Sequence, residues 1–300
     1  MKTVSRTVTY NTHSPNNPPQ ITVNPGEVFL AETELCTGNW LNSINDTWTP
    51  DKTNASNPTV CVAVEGARPG DLLAVEIIKV VPDKVGYTGF NNESNKLADK
   101  ILKRDWGLNV KTVAIDDKYV HWSNTLKLPI NPMIGTLGTA PADKDVTNAY
   151  AGVHGGNMDV QEVAAGSTVY LPVEADGALL HIGDVHAIQG DGEINCSGGI
   201  ECRSEVTLRV SILPRPKNYR CVRIENAEYI MTVGCEADVE ASFLLACEQM
   251  IGWMTEAYNF SIDGAYLLMG QVMEARNTQF VNPTRSYVCK MPKKFLKSEV

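Results

Sequence analysis

From Val206 to Ile212 apolar and polar side chains alternate without a break, with Val206, Leu208, Val210 and Ile212 set against Thr207, Arg209 and Ser211. A period of two fits an extended strand, because successive side chains of a strand point to opposite faces. It also calls for a sheet with one buried face, against which the rest of the chain must pack. The same pattern recurs upstream. Pro25-Gly26, Pro69-Gly70 and Ala165-Gly166-Ser167 are turn signals, and the apolar runs Val28 to Ala31, Leu72 to Val81 and Thr168 to Val173 follow them. Residues 1 to about 215 are therefore read as mainly β.

The character changes after about residue 230. Val239, Phe243, Cys247, Met250, Met254 and Ala257 recur at spacings of three and four, which makes an apolar helix stripe. Ser261 can cap a second helix from Ile262 to about Arg276, and Pro283 and Pro292 mark an irregular end. Strands followed by helices predict a β-rich α+β fold, with sandwich-like antiparallel or mixed sheets and a helical part over about 230–300. Residues 91 to 117 read as a polar excursion with one short helix. There is no repeat and no low-complexity linker, so residues 1–300 are read as a single unit. The 43% hydrophobic content supplies its core.

With 35 acidic against 26 basic residues the net charge is -9, which disfavours nucleic acid as a partner. Met1 to Thr7 carries no apolar segment of the kind a signal peptide needs, and no run approaches about 18 apolar residues, so no membrane partner is expected. The expected compartment is the cytoplasm. The eight cysteines are scattered, none in a C-x-x-C pair, and read mostly as buried reduced thiols.

Five histidines are few, so their positions matter. His13 and His121 stand alone and His181 lies in an apolar strand, so these three read as structural. His154 lies in the loop Gly152-Val153-His154-Gly155-Gly156-Asn157-Met158-Asp159, where glycines let His154, Asn157 and Asp159 converge. The stronger loop runs from Gly183 to Glu193, with Glu201 eight residues later. One imidazole, the Gln189 amide and four carboxylates (Asp184, Asp191, Glu193, Glu201) fall within 18 positions there. Carboxylates this dense repel one another unless a cation, a proton or hydrogen-bond donors offset them.

A bound divalent metal is the economical solution. Nitrogen and oxygen ligands suit Zn2+ first, with Ca2+ or Mn2+ as alternatives. His186, Glu201 and Asp159 are the candidate ligands, with Asn157 as a further one. An amide resists bulk water because its C–N bond has partial double-bond character. A metal can acidify a water and polarise the carbonyl, and a carboxylate can move the proton to the leaving nitrogen. Glu193 is the candidate proton shuttle, with Asp191, Gln189 and His154 as further candidate catalytic groups. Two other readings remain open. One uses Cys196 as a nucleophile with His186 or His154 as its base. The other is a non-catalytic metal- or carbohydrate-binding β-sandwich module. The sequence leaves Glu32, Glu34, Gln279 and Asn282 without an assigned role.

Several strings, in order along the chain, resemble the acetamidase/formamidase family. They are Asn57-Pro58-Thr59 with Val64 to Asp71, Pro132 to Gly135 with Ala140-Pro141-Ala142, His154 to Asp159, Ala165 to Val173, Gly183 to Glu193 with Ile200-Glu201, and Arg276, Thr278, Gln279, Val281 and Asn282. The resemblance implies a β-rich sandwich-like fold with C-terminal helices. It implies hydrolysis of short aliphatic amides such as formamide and acetamide, to carboxylate and ammonia. It also implies a divalent metal, zinc foremost, and a homo-oligomer that is a dimer or built from dimers. Asn195 to Gly199 and Cys61 depart from the family pattern, so substrate preference can differ.

Overall fold

The computed structural model describes residues 1–90, 100, 107–195 and 197–297. The alternating segment lies within the strand Ser204–Pro214, with Val206, Leu208 and Val210 buried and Arg209 exposed. That strand is third in a nine-stranded sheet. Its order is Lys2–Val4, Val28–Thr33, Ser204–Pro214, Asp71–Pro82, Thr168–Pro172, Val222–Glu225, Tyr229–Glu236, Arg285–Pro292 and Glu274–Gln279. The three apolar runs that follow turn signals all lie in it.

A six-stranded sheet runs Ala151–Gly152, Gly155–Asn157, Met133–Gly138, Leu180–His186, Thr59–Val64 and Ile21–Val23. Phe29, Leu73, Val75 and Leu208 of the first sheet share one buried cluster with Val62, Ile134, Leu180 and Ile182 of the second. The sheets therefore face each other as a sandwich, each covering the apolar face of the other. A four-stranded sheet, Lys127–Pro129, Tyr119–His121, Asn109–Ile115 and Val85–Phe90, adjoins them. Pairing is mixed: Lys2–Val4 and Ile21–Val23 pair in parallel with Val28–Thr33 and Thr59–Val64, amid antiparallel neighbours.

Two helices cover the outer face of the C-terminal strands. Helix α1, Val239–Tyr258, starts at Asp238, whose side chain accepts from the amides of Glu240 and Ala241, and it ends at left-handed Asn259. Helix α2, Ile262–Val272, is capped by Ser261 as expected. Ala246, Met250, Trp253 and Met254 of α1 and Ala265 and Met269 of α2 pack on Ile230, Cys289 and Met291. Val288, on the opposite side of the pleat from Cys289, enters the sandwich core instead.

The C-terminal expectations need correction. The two C-terminal helices are present as expected, and Tyr229–Glu236, Glu274–Gln279 and Arg285–Pro292 beside them extend the main sheet. Helix α2 stops at Val272 rather than near Arg276. Met273 turns extended, and Glu274 to Gln279 pair with Arg285–Pro292, so tertiary pairing overrides the local helical spacing. The α1 stripe is also rotated, with Ala246 and Trp253 buried and Ala257 exposed. In the excursion, Asn109–Ile115 is a strand, while the short helix expected there falls mostly outside the described residues. Among the described residues no helix is long and apolar enough to cross a membrane.

Candidate metal centre

Leu180 and Ile182 face the sandwich core, so strict alternation would send Asp184 and His186 there too. Asp184 instead adopts φ 55, in the left-handed region. The phase of the strand shifts by one residue, Val185 takes the next core position, and His186 is turned away from the core cluster. Glu201 is threaded between two strands. Its amide and carbonyl exchange hydrogen bonds with Tyr87, and it bridges His186 on the other side. Asp159 arrives on the turn after Gly155–Asn157, with its amide 3.2 Å from the carbonyl of Gly135.

These segments bring the carboxylates of Asp159 and Glu193 and the imidazole of His186 together, with one ligand atom of each within 4.8 Å of the others. Glu201 Oε1 lies 3.2 Å and Asp184 Oδ1 3.6 Å from His186 Nε2. Two glycines with ordinary backbone angles make the approach possible. A Cβ on Gly135 would sit 2.5 Å from Asp184 Oδ2 and 2.6 Å from Asp159 Oδ1, and one on Gly198 would sit 1.7 Å from Glu193 Cγ. Asp159, Asp184 and Glu193 all have positive φ, at 50, 55 and 39. Non-glycine residues in that region are strained, and strain of this kind collects at functional sites.

Burial, reinforced by the Asp184 charge, pushes the Asp159 carboxyl up to about 7. Burial likewise pushes Glu201 to about 7 against the pull of His186, and raises Glu193 well above the carboxylate range. Burial alone would lower His186, but the carboxylates of Glu201 and Asp184 outweigh it and raise it. Carboxylates that stay ionised here therefore need a compensating positive charge.

Gln189 fixes which imidazole nitrogen is available. Its Nε2 donates to the carbonyls of Asp159 (2.9 Å) and Thr278 (3.2 Å), so its Oε1 must face His186 Nδ1 at 2.9 Å. Nδ1 then carries the proton, and in the neutral ring Nε2 presents a lone pair to the carboxylates. Asn282 Nδ2 holds Asp159 Oδ2 at 2.5 Å and also reaches the Asn157 carbonyl.

Asp159 Oδ1, Asp184 Oδ1, His186 Nε2, Glu193 Oε2 and Glu201 Oε2 are buried and meet no hydrogen-bond partner among the described residues. A buried polar atom left unpaired costs about 1–3 kcal/mol, so five of them rival the stability of a whole domain. Acceptors of this number and charge, with one imidazole nitrogen, fit a divalent cation.

Other expected residues lie elsewhere. His154 does not reach the carboxylates. It sits in the hairpin turn between Ala151–Gly152 and Gly155–Asn157, with that second strand between it and Asp159, and its ring packs 5.1 Å from that of His13. His13 in turn lies 4.6 Å from His181, so His13 is not isolated. Asp191 is exposed and tied to Arg276 and Gln161, lining a cleft of about 710 Å3 beside the centre. Asn157 Oδ1 accepts from Thr136 Oγ1 at 2.7 Å. Glu32 meets Ser5 and Glu34 meets Arg203, while Gln279 ties down the 279–286 turn. Cys196 lies outside the described residues.

The sequence reading did not assign a role to Asp184 or Cys36. Asp184 sat among the counted acids, and its place directly after an apolar strand was the available signal. Cys36, whose sulfur groups with carboxylate oxygens of Asp184 and Glu201 within 4.8 Å, offered none.

Comparison with known proteins now adds to this geometry. The structure of an acetamidase from Bacillus halodurans superposes with TM-score 0.91 at 30% identity, covering 98% of each chain. That of a predicted acetamidase/formamidase from Thermoanaerobacter tengcongensis gives 0.90 at 30% identity, covering 98% of this chain and 96% of the other. The acetamidase of Mycolicibacterium smegmatis is 27% identical over 267 residues, 68% of this chain and 66% of that protein, so the match spans slightly less than two thirds of its length. The class these relatives define is that of amidases. The profile of the acetamidase/formamidase family matches residues 2–151 and 146–296, and the chain belongs to that family.

Proposed function

We propose that this protein hydrolyses short aliphatic amides, of the formamide and acetamide type, to carboxylate and ammonia at a centre that holds a divalent metal. The observation that carries the reading is the set of four unpartnered buried carboxylate oxygens around an equally unpartnered His186 Nε2. Its family membership supports the reaction class.

Asp159, His186 and Glu201 would hold the ion, with Asp184 beside them. Zinc is the first choice given an imidazole donor, with calcium or manganese as the alternatives. A divalent ion there would polarise the amide carbonyl and acidify a water. Glu193 takes the proton from the attacking water and passes it to the leaving nitrogen, so that ammonia departs as the acyl carbon gains oxygen. Burial raises the proton affinity of its carboxyl, the direction a general base needs. Gln189 keeps His186 in one tautomer, and Asn282 orients Asp159. Asp191 and His154 stand outside this scheme.

The same reading makes the chain a cytoplasmic protein acting as one unit. Exposed Leu244, Ile262, Tyr266 and Leu267 on the two helices support a homo-oligomer built from dimers. The net charge of -9 argues against a nucleic-acid partner. The test is ammonia release from formamide and acetamide before and after chelation. The expected result is activity lost with the metal and regained on adding zinc. Undiminished turnover by metal-free protein would overturn it.

A further inference from the structure

Cys36 lies just beyond the end of a strand of the nine-stranded sheet. In the nine-stranded sheet, Thr33 pairs with Ser204. Three residues further along each antiparallel segment stand Cys36 and Glu201. Pairing between the strands has ended there, Cys36 sits in a turn closed by the Gly38 amide on the Leu35 carbonyl, and its sulfur lies with carboxylate oxygens of Asp184 and Glu201 in one set spanning at most 4.8 Å. All three residues are buried.

The hydrogen bonds around the sulfur run toward it. Trp40 Nε1 donates to Thr37 Oγ1 at 2.8 Å. The Thr37 hydroxyl lies 2.8 Å from Tyr87 Oη, which lies 3.1 Å from Cys36 Sγ. The indole can only donate, so the simplest order has Thr37 donate to Tyr87 and Tyr87 donate to the sulfur. The sulfur then accepts a hydrogen bond on one side and faces carboxylates on the other. Asp184 Oδ1 and Glu201 Oε2 both lack a partner among the described residues. A sulfur and two carboxylates converging on one point form the surroundings of a cation.

We infer that Cys36 donates its sulfur, as a thiolate, to the metal held at this centre, so that the centre selects a borderline-soft ion of the zinc or cobalt kind over calcium, magnesium or manganese. The inference deepens the metal reading above and rests on it. Coordination replaces the S–H bond with a sulfur–metal bond, and the proton leaves to solvent. Soft thiolate ligands favour zinc-like ions, whereas carboxylate and carbonyl sets suit hard ones. Tyr87 acts on the sulfur as an outer hydrogen-bond donor, the arrangement that tunes metal ligands generally.

The test is the optical spectrum of the full-length protein, stripped of metal and loaded with cobalt(II). The expected spectrum shows visible ligand-field bands together with a thiolate-to-cobalt charge-transfer band in the near ultraviolet. Cys36→Ser should lose the second band and keep the first, while Cys202→Ser and Cys196→Ser keep both. Tyr87→Phe should move the charge-transfer band to longer wavelength, as a sulfur relieved of its donor is easier to oxidise. Cys36→Ser should also weaken zinc binding by roughly 10-fold or more, and manganese binding far less.

Ligand-field bands without a charge-transfer band in the unaltered protein would overturn the role of Cys36 and leave the metal reading standing. A charge-transfer band that persists in Cys36→Ser would do the same. Absence of any cobalt spectrum would overturn both. The unaltered protein decides the case if Cys36→Ser does not fold.

Discussion

Two buried polar clusters of this molecule, one around His186 and one around His13, differ in charge balance. Around His186, buried carboxylates of Asp159, Asp184, Glu193 and Glu201 face one imidazole, with an unpaired atom on each residue. Around His13, three histidine rings pack edge-on or tilted within 5.1 Å of their neighbours, and Nε2 of His13 and of His154 is also unpaired among the described residues. There His13 Nδ1 is held by Asn148 and His181 Nδ1 by Thr59, each at 2.8 Å. Burial lowers the affinity of these rings for protons, taking His154 to about 4 and His181 to about 3. Neutral rings need no counter-charge, whereas a group of carboxylates does. Unsatisfied charge therefore singles out the centre better than histidine count does.

The comparison breaks first at Glu193. Replacing Glu193 with Gln should lower kcat by about 10²–10⁴-fold, the usual worth of a general acid–base, while metal content stays near that of the unaltered protein. Steady-state kinetics and elemental analysis on one preparation check both parts. A smaller effect is expected at Gln189. Gln189→Leu frees the His186 tautomer and should weaken metal affinity by about 10–100-fold, measured by competition with a chelating dye. His154→Asn, in the other cluster, should cost on the order of 1–3 kcal/mol of stability and leave kcat within about 3-fold, read from urea unfolding and initial rates.

Stability against pH sharpens the contrast. Raised carboxyl pKa values mean that metal-free protein holds their contribution below about 4 and loses it as pH rises through about 7. Lowered histidine pKa values work in reverse. That contribution is present above about 6.5 and is lost as pH falls through about 4 and then about 3. The two clusters thus oppose each other across one window. Saturating zinc should remove the first slope and leave stability rising with pH from about 4 to about 6.5. Urea midpoints across that range, with and without zinc, check the sign.

Much of this was legible in the sequence. The period of two at 206–212 and the turn signals before Val28, Leu72 and Thr168 gave the main sheet. The glycine-spaced acids between Gly183 and Glu201 marked the centre, because so many carboxylates beside an apolar strand need compensation. Other features depend on contacts between distant residues. His154 lies five residues from Asp159 yet joins His13, because it sits in a hairpin turn and the strand Gly155–Asn157 runs between the two. Asp191 counted as one of the converging acids, but Arg276 from a distant strand holds it outside. Glu274 to Arg276 were read as the end of the second helix, but they pair with Arg285–Pro292 instead. Cys36 has no local signal, and its place beside Asp184 and Glu201 depends on the turn that follows the Val28–Thr33 strand.

The most direct measurement is an anomalous difference map from crystals of the protein loaded with zinc, collected at the zinc absorption edge. The account predicts a strong peak within bonding distance of His186 Nε2, flanked by Asp159 and Glu201. A peak among His13, His154 and His181, with nothing beside His186, would contradict it.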